Sequence, residues 1–486
     1  MPVGPSSRIP ASPSLFAAGR AAATIGLALG VGSHAVNGFV TTAVLPDIIR
    51  DLGGQDRAFW VFSSFEMMAI LAGCLTGATR QRFGARLPFL LASVLLAAGS
   101  LLAGLSPSLE GLVAGRALQG FGEGMIIALC YALIPDLFPA TMVPRVFALL
   151  AGVWALAAGL GPVSAGFLTE AWSWRAAFLV NLPLVLLLFW LMNTALPADP
   201  ASPRKGQILR TGKLRFALRL ALLALSILLL TMIGELHRPL PLAATILAGL
   251  AAAGLLLKLD AAGMPRLFPK DAFRPATLIG LGTWIVLLIS VAAAVRAVFV
   301  TTIGQVLWGL GVTEASYVAA ALAFSWSAFA FLSSRAPDRR RELVYMATGP
   351  FLIAAGLLLT AIAIEAGSLA AFVAAAIVTG AGHGLCNQIL LRSLMYGALD
   401  EDRHLVSAIL PTVSSAGIAI GGGLTGLLAI LTGLIAPGEA ALVTQEAIER
   451  SGASVFLVNA VLTLLPAAAM LVLRQRLIRR EAAPED

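Results

Sequence analysis

Most of the chemistry this chain offers sits in one short run, Arg116-Ala-Leu-Gln-Gly-Phe-Gly-Glu-Gly124. The run lies inside a long apolar stretch, 109–134, yet it carries an arginine, a glutamine and a glutamate among three glycines. A charge costs free energy in hydrocarbon even on lenient insertion scales, so a buried one there marks a pathway or a partner. Arg116 and Glu123 are about two helical turns apart and share one side of a helix. Burial in apolar surroundings favours the protonated form of a carboxylate, so such a group can load and release protons in the working range. Glu123 is therefore the candidate proton-coupling group. The alternative is a constitutive ion pair with Arg116.

A second run, Val378-Thr-Gly-Ala-Gly-His-Gly384, aligns without gaps on Leu118-Gln-Gly-Phe-Gly-Glu-Gly124. Three glycines fall in register and His383 meets Glu123. Weak internal symmetry of this kind marks transporters built from repeats, with the site near the midplane between them. Glycines also let neighbouring helices approach, and Gly-x-Gly runs are common enough in membrane helices for chance to account for the match. On the repeat reading, Glu123 and His383 are pseudo-equivalent and face one central cavity. His383 either shares the proton, since histidine titrates near neutral pH, or hydrogen-bonds a carbonyl in a tight glycine-rich crossing.

The elements that must position these groups are membrane spans. Of 486 residues 59% are hydrophobic and 12% charged, against about a quarter charged in a soluble domain. On a requirement of about 20 apolar residues per span, the chain reads as all-α and polytopic with about fourteen transmembrane helices. A tail over 1–20 precedes six spans within 21–196. A Pro-rich basic linker over 197–215 leads to two almost purely apolar spans within 216–257, which read as inserted rather than cavity-lining. A loop over 258–275, six spans within 276–473 and a tail over 474–486 complete the chain. The net charge of +8 sits mostly in short loops and points to topology, not to nucleic acid: Arg80, Arg82, Arg86, Arg145, Arg335 and Arg474 all fall on one side, which puts both termini in the cytoplasm. The first twenty residues show no h-region with a cleavage site, so the first span is expected to act as the insertion signal. Cys74, Cys130 and Cys386 lack metal-ligand spacing and read as packing residues. No phosphate loop, metal cluster or sizeable extramembrane domain is visible. An enzyme, a resident metal or cofactor, and ATP-driven transport are not expected; the energy source should be an ion gradient.

Several motifs resemble the major facilitator superfamily, and in particular its 14-helix drug:proton antiporter branch. Asn37-Gly-Phe-Val-Thr-Thr-Ala-Val-Leu-Pro-Asp-Ile48 is similar to the first-helix motif of that branch, with Asn37 where an aspartate is usual. Trp60-Val-Phe-Ser-Ser-Phe65 resembles the start of the second helix. Gly77-Ala-Thr-Arg-Gln-Arg-Phe-Gly-Ala-Arg86 resembles the loop after it, with Gln81 in place of the usual acid. Arg116-x-x-Gln-Gly-x-Gly122 matches the fourth-helix motif, and Gly159-Leu-Gly-Pro-Val-Ser-Ala-Gly166 the antiporter motif of helix five. Trp172-Ser-Trp-Arg-Ala-Ala-Phe-Leu-Val-Asn-Leu-Pro183 follows in the expected order.

The resemblance implies two six-helix bundles with two extra helices between them, and a cavity lined by spans 1, 4, 9 and 12. The residues themselves supply the candidates: Glu123, His383 and Glu66 for proton coupling and His34, Asn37, Arg116, Gln119 and Arg296 for the substrate cavity. Gly159, Gly161, Pro162 and Gly166 are conformational, and Arg82 and Gly84 belong to a latch whose strength the loss of the acid at Gln81 puts in question. Glu66 is the substitute acid for Asn37, and is expected to pair with Arg296 at the outer gate. The implied function is a secondary transporter in the bacterial inner membrane, exporting a drug-like or amphipathic molecule against protons by alternating access. Alternatives are a carrier of an anionic metabolite or siderophore-like compound, and a non-transporting membrane sensor. The implied partners are the bilayer, protons and a small molecule, with no obligate protein partner.

Overall fold

The structure is a computed structural model that describes residues 14–17, 19–53, 60–196, 213–235, 239–263, 266–399, 402–434 and 444–481. The basic linker residues Arg204, Lys205 and Arg210 lie outside these. Among the described residues there is no strand. The long helices are α1 (Ala21–Leu52), α2 (Trp60–Phe83), α3 (Arg86–Leu105), α4 (Leu109–Leu137) and α5 (Val143–Ala171), then α6 (Trp174–Ala195). They continue as α7 (Lys213–Thr231), α8 (Pro239–Ala261), α9 (Leu278–Trp308), α10 (Val312–Ser333), α11 (Arg339–Glu365), α12 (Leu369–Gly397), α13 (Arg403–Thr432) and α14 (Ala453–Glu481). Among the described residues twelve helices are long and apolar enough to cross a membrane; α1 and α7 bring the long helices to the fourteen expected. Many large apolar side chains face outward, such as Leu156, Leu160 and Phe167 on α5, a surface suited to hydrocarbon rather than water.

Why α4 and α12 match is visible from their caps inward. Each is 29 residues long. Each begins at a serine whose hydroxyl accepts the N–H three residues on: Ser108 from Gly111 at 3.2 Å and Ser368 from Ala371 at 3.3 Å, which satisfies one orphan donor of the first turn. From those caps the glycines fall in the same register and perform the same packing. Gly120 and Gly124 lie against the backbone carbonyls of Phe65 and Ala69 on α2, and Gly380 and Gly384 against those of Leu322 and Trp326 on α10. Gly122 lies against Ala92 and Leu96 on α3, and Gly382 against Gly349 and Ile353 on α11. The repeat is therefore α2–α3–α4 matched to α10–α11–α12, and chance does not explain the sequence alignment.

A Cβ at position 124 would overlap the Ala69 carbonyl and Cα, which are backbone and cannot swing aside. Gly124→Ala is expected to destabilise by about 1–3 kcal/mol, the usual overpacking range, and Gly384→Ala by a similar amount. Gly254→Ala, where an added Cβ meets nothing within 4 Å, should cost nothing. Thermal unfolding of the purified variants in detergent is the measurement; equal melting of all three would remove the packing argument.

The first six helices pack together, as do the last six, and the two halves meet along two seams. In one, α2 meets α13, with Gly73 against Thr412 and Gly77 against Leu405. In the other, α5 meets α10: the Ser327 hydroxyl donates to the Ala151 carbonyl, and a Cβ on Gly159 would sit 2.9 Å from the Phe324 ring. Gly161 is buried; the side-chain positions of Pro162 and Gly166 lie outside those described.

The inserted pair α7–α8 packs beside α13 and α2. It departs from the almost purely apolar reading in one respect. Arg219 on α7 and Asp260 at the end of α8 form a buried ion pair at 2.7 Å, with 2% and 4% of their side chains exposed. The Asp260 carboxylate also accepts the N–H groups of Leu267 at 2.9 Å and Phe268 at 3.0 Å, fixing the turn that leads into α9.

Candidate functional site

Glu123 is wholly buried on α4. The glycine crossings on either side of it bring α2 close, and α1 covers its carboxylate. Asn37 of α1 donates its Nδ2–H to Oε2 of Glu123 at 2.8 Å. Asn181 of α6 donates in turn to Oδ1 of Asn37 at 3.1 Å, which fixes the asparagine with its amide nitrogen toward the carboxylate. The other oxygen, Oε1, has no hydrogen-bond partner among the described residues. Three helices thus converge on one carboxylate and leave half of its acceptor capacity unused.

Arg116 makes no ion-pair contact with it. Its Nε donates to the Val61 carbonyl of α2 at 3.1 Å and its Nη1 to Oε1 of Gln119 at 3.1 Å. The guanidinium lies 4.1 Å from the Phe65 ring centroid and 5.9 Å from that of Phe178. Gln119 passes the chain of hydrogen bonds on to Ser100 of α3 at 2.8 Å. Arg116 and Gln119 are 1% and 0% exposed. Here they tie α2, α3 and α4 together inside the first bundle, because the long arginine side chain reaches back toward α2 and finds a carbonyl and an aromatic face there. The constitutive Arg116–Glu123 ion pair is absent.

His34, one turn before Asn37, is half-buried between Phe65 (6.2 Å, stacked) and Trp154 (5.9 Å, edge-on), and its Nδ1 has no hydrogen-bond partner among the described residues. Glu66, next to Phe65 on α2, is partly exposed and forms no ion pair among the described residues. In the second half His383 stacks on Trp326 of α10, 4.7 Å apart and 14° from parallel. Arg296 on α9 is buried and donates from Nη1 to Thr360 at 3.0 Å, while its Nε and Nη2 have no hydrogen-bond partner among the described residues. The structure does not bring Glu66 and Arg296 together, so the expected outer-gate pair is not formed here; the guanidinium turns to α11 instead.

The Major Facilitator Superfamily model matches residues 27–305, more than half of the chain. The chain belongs to the major facilitator superfamily. It is 30% identical over 420 residues, 83% of its length and 87% of theirs, to the "Probable multidrug-efflux transporter" proteins of two Mycobacterium tuberculosis strains. Multidrug resistance protein 3 of Bacillus subtilis is 30% identical over 35% of the chain and 33% of its own length. Among solved structures, the human organic anion transporter MFSD10 superposes with a TM-score of 0.66 at 16% identity, over 93% of this chain and 99% of that one. The proton:xylose symporter XylE gives 0.64 at 15% identity, over 93% and 94%. The chain is thus a multi-pass membrane transporter of this superfamily, and the superfamily's members carry small molecules rather than catalyse reactions.

In this superfamily member the loop after α2 keeps a contact between the halves despite the missing acid. Nε2 of Gln81 lies 2.9 Å from Nε2 of His404 at the start of α13. Arg80 pairs with Asp136 and donates to the Ala132 carbonyl at 2.7 Å, and Arg82 lies over Phe83. Gly84, at φ +74°, makes the left-handed turn that a side chain would strain. Sequence reasoning missed Asn181, Phe65, Trp154, Trp326 and Thr360 as site neighbours. Asn181 and Phe65 gave a signal, as members of the quoted Trp172–Pro183 and Trp60–Phe65 motifs.

Proposed function

We propose that this transporter is a proton-coupled exporter of a cationic or amphipathic drug-like molecule. It works by alternating access in a bacterial inner membrane with both termini cytoplasmic. One observation carries the reading: Glu123, fully buried, accepts a hydrogen bond from Asn37 on one oxygen and, among the described residues, forms no ion pair. An unpaired carboxylate in an apolar interior must be neutralised. Two species can do so, a proton or the cationic group of a substrate, and exclusive occupancy by one or the other is antiport. Glu66, His34 and His383 are the secondary proton sites. The multidrug-efflux description of the Mycobacterium relatives supports the direction and the substrate class.

Arg296 favours a second reading. Two unpartnered guanidinium nitrogens in a buried position suit an anionic substrate, with His383 in the same half.

The test is ethidium accumulation in cells lacking their own pumps, with and without a protonophore. The expected result is lower accumulation than in empty-vector cells, abolished by the protonophore. Equal accumulation with well-expressed protein removes the cation reading, and the same assay with a fluorescent organic anion then decides for the second. Lower accumulation that survives the protonophore removes proton coupling.

A further inference from the structure

Beside the seam of α5 and α10, at the basic end of the molecule, lies a cavity of about 900 Å³ whose lining includes none of the residues assigned above to proton coupling or substrate. Arg145, Leu149, Gly152 and Leu156 line it from α5; Phe331 and Arg335 line it from α10 and the residue turn beyond. The α5 residues recur at three- and four-residue spacing, so they form one face. The opposite face, with Phe147, Ala151 and Ala158, is buried. Leu156 is 63% exposed and Phe331 49%, so the cavity opens sideways, toward the surface that hydrocarbon covers.

Its chemistry is split. Much of the lining is aliphatic and aromatic, and Arg145 and Arg335 add two guanidinium-bearing side chains to it. The Arg335 guanidinium lies over the Phe331 ring at 4.0 Å, which fixes it where the apolar wall ends. From Arg145 to Leu156 the cavity wall runs about 16 Å at 1.5 Å per residue, close to half of a hydrocarbon core about 30 Å thick. Guanidinium groups recognise phosphate by paired hydrogen bonds. Length, lateral opening and charge together fit one class of molecule.

We propose that this cleft binds an anionic phospholipid, its phosphate held by Arg145 and Arg335 and an acyl chain laid along Leu149 and Leu156. On the orientation given above, the lipid comes from the inner leaflet. Seated there it touches both halves of the transporter at the seam.

The experiment is native mass spectrometry of the purified full-length chain in detergent, with phosphatidylglycerol or phosphatidylcholine of identical acyl chains as probes. Phosphatidylglycerol is expected to be retained about tenfold more, from two cationic contacts, and an excess of glycerol phosphate should not displace it. The pair Arg145→Gln with Arg335→Gln should lose the preference. Gly152→Leu should lose the lipid by filling the cleft; an added Cβ there meets nothing within 4 Å, so the fold is not at stake. Arg340→Gln with Arg341→Gln removes the same charge from an exposed site at the same end and should retain it. Equal retention of both lipids overturns the proposal. So does loss in the Arg340 and Arg341 control, or retention in Gly152→Leu when the arginine pair loses it, because either outcome reduces the effect to surface attraction. Displacement by glycerol phosphate would show that a phosphate alone is bound, and it also overturns the proposal. None of these results depends on the export assay.

Discussion

Glu123→Gln is expected to raise ethidium accumulation to the empty-vector level while leaving a folded protein in the membrane. Glutamine has the same shape, and its carbonyl oxygen can still accept the Asn37 hydrogen bond observed at 2.8 Å. What it loses is the ability to exchange a proton for a cation. Exchange of one proton for one monovalent cation is electrically neutral, so a pH difference of one unit, worth about 1.36 kcal/mol, supports about a tenfold concentration ratio. Without a titratable group that ratio collapses. The measurement compares steady-state accumulation at matched expression, with thermal unfolding in detergent as the fold control. Export that survives the substitution and still stops with a protonophore moves the proton to Glu66, His34 or His383. Export that survives both shows that Glu123 is a packing residue whose charge is neutralised in some other way. Arg116 is a weak candidate for that, because its guanidinium is already engaged by Val61, Gln119 and two aromatic rings.

The contrast between Glu123 and Arg116 shows what a sequence can convey about such a site. Spacing placed both on one side of α4, and both are on that side. Spacing cannot say how far a long side chain bends or which carbonyl lies at its tip, because that depends on how α2 crosses α4. The glycine register was legible because glycine acts through its own backbone: a missing Cβ is a local property, and the neighbour at each crossing follows from the repeat. Ser108 and Ser368 were legible in principle for the same reason, as caps acting three residues away. Asn37 stood out as a departure from its family, but its function as the bridge from Asn181 to Glu123 needed three helices to be assembled. Arg296 was expected to reach an acid and reaches a threonine instead, since Thr360 on the neighbouring helix is the nearer partner once α9 and α11 are packed. The number of long helices was the easiest part, because its signal is mostly length and hydropathy. The two inserted helices were misjudged in detail for a related reason: a single arginine at the edge of an apolar run reads as a topology signal, and its partner lies in another span.

That arginine carries the largest stability effect expected in the molecule. Arg219→Met removes the cation from a pair whose two side chains are almost wholly buried, and leaves Asp260 charged against the bundle. Breaking a buried pair by removing one partner costs about 3–5 kcal/mol, well above the cost of the glycine substitutions. Asp260 cannot simply be deleted as well, because its oxygens also hold the Leu267 and Phe268 N–H groups; a leucine there would strand two backbone donors. Asparagine keeps an acceptor oxygen and loses the charge. Arg219→Met combined with Asp260→Asn is therefore expected to be more stable than Arg219→Met alone, in thermal unfolding of the purified chain, while Arg219→Met with Asp260→Leu is not. If the asparagine double variant melts no higher than Arg219→Met, the uncompensated charge is not the source of the cost. The lost contacts of the arginine stem, including its stacking on Phe216, then account for it. Either way the test separates charge from packing at the point where α7 and α8 are tied to the chain entering α9. The pair sits beside α2 and α13, the seam where the two halves must move against each other, so its strength bears on how firmly the inserted helices follow one half during transport.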